Sequence, residues 1–126
     1  MKIGFYLLTA LAILAGCNKP LLKYNSDFEG TWFSETQYNP DLQVFVSDEL
    51  VFSGKNGTYQ VDCKDTCTTN LCECTGKLTG VAEVNQQRTI IRLNSQTPRT
   101  FQLDAEPYEQ GGEWYMEIDG KKYKKQ

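Results

Sequence analysis

The side chains best suited to covalent or metal chemistry in this 126-residue chain are its five cysteines: Cys17, Cys63, Cys67, Cys72 and Cys74. Four of them crowd into "CKDTCTTNLCEC", with the spacing C-x3-C-x4-C-x-C. Thiolates grouped in this way can hold zinc, and thiols can be oxidised to disulfides; the redox compartment decides between the two. The spacing has neither the paired C-x2-C of zinc sites nor the C-x-x-C of thiol redox enzymes. The chain has no histidine, which excludes imidazole-activated nucleophiles, histidine bases and histidine metal sites. Asp48-Glu49, or Glu106 with Glu109, are the carboxylate pairs available for acid–base work. Both are read as lying in loops or on outward strand faces, where solvation accounts for them. No nucleophile–base set can be assembled, so a non-catalytic protein is expected, with no metal and no cofactor.

The compartment is written at the N-terminus. Met1-Lys2 is a minimal basic start, and an apolar run follows from Ile3 to Ile13, then Leu14-Ala15-Gly16-Cys17. About 20 apolar residues are needed to span a bilayer, so this shorter run reads as a secretory signal. Its last four residues resemble the lipobox of bacterial lipoproteins. The resemblance implies that the Cys17 thiol is joined to a diacylglyceryl group and that residues 1–16 are removed. Residues 17–27 then form a lipidated N-terminus and tether, and residues 28–126 the folded domain. By analogy with Gram-negative sorting, Asn18 after the lipidated cysteine implies the outer membrane. The tether lacks an acidic run, and a periplasm-facing position follows. Two or three acyl chains give a durable anchor without a spanning helix.

With Cys17 lipidated, the remaining cysteines are even in number and sit in an oxidising compartment, so two disulfides are expected rather than zinc. Cys72 and Cys74, two apart in a strand-like run, would have Cα atoms about 6.5 to 7 Å apart and pointing the same way, which disfavours bridging them directly. The nested pairing Cys63–Cys74 with Cys67–Cys72 and the crossed pairing Cys63–Cys72 with Cys67–Cys74 both stay open.

From Tyr24 onward nearly every segment alternates apolar and polar residues, and the breaks carry hairpin signals. Asp119-Gly120 is the clearest turn, setting Met116 opposite Tyr123 and Glu117 opposite Lys122. Asn56-Gly57 is read as a second turn, pairing Phe52 with Val61 and Leu50 with Cys63. Asn85-Gln86 is read as a third, setting Leu78, Gly80 and Ala82 against Leu93, Ile91 and Thr89, with Glu83 opposite Arg88. Phe101 and Leu103 point inward, "AEPYEQGG" is a loop, and Trp114, Met116 and Ile118 follow as a strand. Lys121–Lys125 reads as a solvated edge strand. The fold class is all-β: an antiparallel up-and-down meander of about eight strands, with no helix, closing into a small barrel.

Gly30-Thr31-Trp32 in the first strand resembles the Gly-X-Trp signature of lipocalins, in which the tryptophan plugs the closed end of the barrel. The chain departs from that family in being shorter and in lacking a C-terminal helix. A lipocalin-like barrel implies a binding role, with Trp32, Phe52, Tyr59, Leu78, Ile91, Phe101, Trp114, Met116 and Tyr123 as the inward set around a small apolar ligand. The same set can instead fill the interior. An alternative role is structural or protein-interacting, with the disulfide-braced 63–74 loop presented to an envelope partner. The formal charge of −3 argues against a nucleic-acid partner.

Overall fold

The computed structural model describes residues 18–41, 43–64 and 77–126, with backbone alone at 62–64. The signal, Cys17, the side chain of Cys63, and Cys67, Cys72 and Cys74 lie outside the described residues.

Period-two alternation becomes ten strands: β1 (Lys19–Pro20), β2 (Gly30–Ser34), β3 (Gln37–Asn39), β4 (Val44–Ser53), β5 (Asn56–Lys64), β6 (Leu78–Val84), β7 (Ile90–Asn94), β8 (Arg99–Gln110), β9 (Glu113–Ile118) and β10 (Lys121–Lys125). Eight of them close an antiparallel up-and-down barrel in the order β2-β4-β5-β6-β7-β8-β9-β10, with β10 returning to β2. Closure gives every strand of the ring a paired neighbour on each side. β10 is therefore not an edge strand: it pairs with β9 on one side and β2 on the other. The two shortest strands lie off the ring, β1 on β6 and β3 on β4.

The Asp119-Gly120 turn falls where its residue types place it. Both central residues take positive φ, and Met116 faces Tyr123 while Glu117 faces Lys122. The other two hairpins are displaced. The β4–β5 turn is centred on Gly54-Lys55, so Phe52 faces Gly57 and Leu50 faces Tyr59. Gly54 supplies the positive φ that the first central residue of this turn needs. Gly57 serves packing instead, because a Cβ there would lie 2.5 Å from Leu93 Cδ2. The β6–β7 connection is a longer loop, in which Asn85 Oδ1 accepts from the N–H groups of both Thr89 and Ile90. Ala82 there faces Leu93, and Glu83 faces Arg92. Both displacements are by an even number of residues, which leaves the apolar side chains of these strands on their expected face. "AEPYEQ" is not a loop but the second half of β8, and the turn is Gly111-Gly112. Pro107, which has no N–H to give, falls in the second of two register irregularities.

Residues 19–27, expected as a tether, are built into the body. β1 is followed by a single helical turn, α1 (Leu21–Tyr24), and a 3-10 turn at Ser26–Phe28. Leu21 is only 1% exposed, and Phe28 lies in the same core cluster as Trp32. Tyr24 Oη donates to Glu106 Oε2 at 2.8 Å and the Arg88 guanidinium sits 4.8 Å over the Tyr24 ring, pinning the segment across one end. This end also holds the 54–55, 85–89 and 111–112 turns. The opposite rim holds the β3–β4 connection, the end of β5 and the start of β6, the 95–98 turn and the 119–120 turn.

Gly80 marks a close approach rather than spare room. A Cβ there would lie 2.5 Å from the Asn94 carbonyl oxygen and 2.6 Å from its carbon, both backbone atoms that cannot rotate away. Gly80→Ala is expected to destabilise the protein by about 1–3 kcal/mol, read as a lower urea midpoint at unchanged slope.

Candidate functional site

All nine inward residues are brought together. Trp32, Phe52, Ile91, Phe101, Met116 and Tyr123 are fully or almost fully buried, Tyr59 is buried, and half-buried Leu78 and Trp114 pack against them. They pack on one another: the Tyr59 and Phe101 rings are 5.3 Å apart, and Phe52 meets Phe28 edge-on at 6.1 Å. Three recesses, of about 730, 630 and 460 Å³, open at the surface; none of the nine lines the two larger ones, and Phe101 alone of them reaches the third, beside Thr89, Ile90 and Asp119.

The polar side chains that organise the rim begin with Asp48. Its position on β4 shares parity with Leu50 and Phe52, so it points inward and is only 6% exposed. This corrects the outward placement expected for Asp48-Glu49. A buried carboxylate needs partners, and Asp48 has them: Oδ1 accepts from Tyr59 Oη at 2.9 Å, and Oδ2 lies 2.5 Å from Lys121 Nζ. Its own N–H donates to Ser34 Oγ at 2.7 Å. Arg99 lies 4.1 Å over the Tyr59 ring and 4.9 Å over Phe101, so a second cation stands at the mouth. Burial first, and then the Asp48 carboxylate, raise the pKa of both Tyr59 and Tyr123 above the ordinary phenol value. Parity alone is the sequence signal that finds Asp48. Nothing in the sequence pairs it with Lys121, which lies 73 residues away.

Outside this network lies the largest recess, between the β3–β4 pair and the 119–120 turn. It is lined by Glu35, Tyr38, Asp41, Ser47, Asp48 and Lys121, among others. Ser47 is 4% exposed, and its Oγ has no hydrogen-bond partner among the described residues. Beside the recess, Tyr38 and Phe45 face each other across β3 and β4 at 5.2 Å while remaining 53% and 44% exposed. Cys63 stands opposite Val46 on the same ladder, and β5 ends one residue later, at this rim. The arrangement combines an apolar aromatic pair with alternating donors and acceptors, as suits contact with a polar or peptide surface. Both Asp48 oxygens are engaged, one by Tyr59 and the other by Lys121.

The C-terminal lysines are largely committed. Lys124 pairs with Glu113 at 2.6 Å, which lowers the Glu113 pKa and raises that of Lys124. Lys125 donates to the Asp27 carbonyl at 2.9 Å and stands over the Trp32 ring.

Asp48→Ala is expected to lose about 1–3 kcal/mol, mostly through the orphaned Tyr59 hydroxyl, because Lys121 is half-exposed and can turn to water. Asp48→Asn, which keeps an acceptor for Tyr59, should recover part of that loss in the same denaturation measurement. No family model matches the chain, and neither does any curated protein or solved structure.

Proposed function

We propose that this chain is a lipid-anchored lipoprotein of the bacterial outer membrane, facing the periplasm, with a non-catalytic binding role exercised at the barrel rim. The lipobox-like Leu14-Ala15-Gly16-Cys17 supports the anchor, and the closed meander with Gly30-Thr31-Trp32 supports the lipocalin-like reading of the barrel. One observation carries the choice of rim over interior. The inward aromatics pack on one another, while Tyr38 and Phe45 stand exposed beside a polar recess. An envelope protein is the partner, met by the β3–β4 pair together with the disulfide-braced 63–74 loop.

Photo-crosslinking in the native host tests this directly. A crosslinkable residue at position 38 or 45 should give one discrete adduct, absent from position 109, where exposed Glu109 stands beside the 111–112 turn at the other end. Tyr38→Asp should abolish the adduct formed from position 45. A stoichiometric apolar molecule retained in native mass spectrometry, with no adduct from either rim position, would move the binding role into the barrel.

A further inference from the structure

The anchor and the barrel are joined with almost no slack. Lys19 and Pro20 pair with Val84 and Glu83 of β6, and Leu21 is sunk in the core. Consecutive Cα atoms are about 3.8 Å apart, so an acylated Cys17 lies within about 8 Å of the Lys19 backbone. An anchor this short cannot hold the domain away from the bilayer. The edge where β1 meets β6 has to lie against the headgroups.

Four exposed cations lie along that edge. Lys19 is on β1 and Lys23 on α1 directly after it. Lys55 is brought in by the Ala82 N–H donating to its carbonyl at 2.9 Å, and Arg88 by its place over Tyr24. None of the four is in an ion pair among the described residues. Two of the acidic groups nearby are engaged: Glu106 accepts from Tyr24 and Asn25, and Glu113 pairs with Lys124 at the β8–β9 turn. Glu83 shares the edge, and Asp27 and Glu29 flank the 3-10 turn beyond it. The positive side of this end is thus the side from which the anchor emerges.

We infer that the barrel sits tilted on its membrane, β1–β6 edge down, with Lys19, Lys23, Lys55 and Arg88 against anionic phospholipid headgroups and the rim turned away. This rests on the lipid-anchor reading of Cys17. Basic side chains beside an acyl anchor supply the second membrane signal.

The test uses the mature protein from its own host, added to vesicles of phosphatidylethanolamine with phosphatidylglycerol. A water-soluble amine-acetylating reagent then maps its lysines. Lys19, Lys23 and Lys55 should label several-fold more slowly than in detergent, while Lys122 at the rim keeps its rate. The triple variant Lys19→Glu, Lys23→Glu, Lys55→Glu should label Lys122 as before but lose the protection of the 85–89 loop in amide hydrogen exchange. Equal labelling of all lysines in a protein whose mass shows the acyl chains overturns the orientation and leaves the anchor standing. A mature mass without acyl chains overturns both.

Discussion

Replacing Trp32 with alanine is expected to destabilise the protein by about 3–5 kcal/mol, the largest effect of any single side chain here. Trp32 is fully buried, and its Nε1–H donates to the Phe28 carbonyl at 2.8 Å. That bond ties the 3-10 turn to the first barrel strand, so truncation opens a cavity and orphans a buried carbonyl together. The ring is also the surface on which the Lys125 ammonium rests, 4.9 Å from its centroid. Lys125 in turn donates to the Asp27 carbonyl, so one side chain links the last strand, the first strand and the end cap. Total stabilities of about 5–15 kcal/mol are usual, and a loss of this size would lower the melting temperature by about 15 °C. Trp32→Phe separates the contributions. It keeps most of the apolar volume but not the donor, and should lose about 1–2 kcal/mol. Thermal and urea denaturation of the two variants checks the ordering, and near-equal losses would mean that the indole N–H carries the stability rather than the packing.

Trp32, with its neighbours, shows why the fold was legible. In a barrel the inner face is fixed by parity, and parity survives any even error in register. Phe52, Ile91, Phe101, Met116 and Tyr123 all lie inward, although two of the three hairpins turn elsewhere than their Asn-containing dipeptides suggest. Turn position depends on details that single residues do not announce, such as Gly57 being needed for space under Leu93 rather than for a positive φ. The end cap was illegible for a different reason. α1 is one turn long, too short for a helical period, and most of its stability comes from burying Leu21. The rim network hides because its members come from β2, β4, β5, β8 and β10, and only closure of the ring brings Lys121 to Asp48. The parity that placed the aromatics also places Asp48 inside; an acidic residue between Ser47 and Glu49 simply looks like a solvated run.

Raising the pH above about 10 is expected to unfold the barrel steeply, through the two tyrosines that the rim network holds neutral. An unfolded phenol ionises near pH 10, whereas burial, and then the Asp48 carboxylate, push the folded pKa of Tyr59 and Tyr123 upward. Asp119 pushes Tyr123 the same way, and Arg99 opposes the shift at both residues without overcoming it. Below pH 10 both states keep both protons, and stability does not depend on these groups. Above it the unfolded chain releases protons that the folded chain retains, so each tyrosine removes about 1.4 kcal/mol per pH unit until its folded pKa is reached. While both folded tyrosines stay protonated, the two together take away nearly 3 kcal/mol per unit, a large fraction of a typical domain's stability. Tyr123→Phe keeps the ring in the core and removes one ionisable group. It should therefore flatten the alkaline slope of the unfolding free energy by about 1.4 kcal/mol per pH unit while changing stability at neutral pH little. Tyr59→Phe should also flatten the slope but lose stability at neutral pH as well, because Asp48 Oδ1 then has no donor from β5. Phenolate absorbance followed alongside far-ultraviolet circular dichroism gives the decisive comparison. Tyr59 and Tyr123 should ionise only as the strand signal collapses, and ionisation of every tyrosine before that collapse would show that the rim does not hold them neutral.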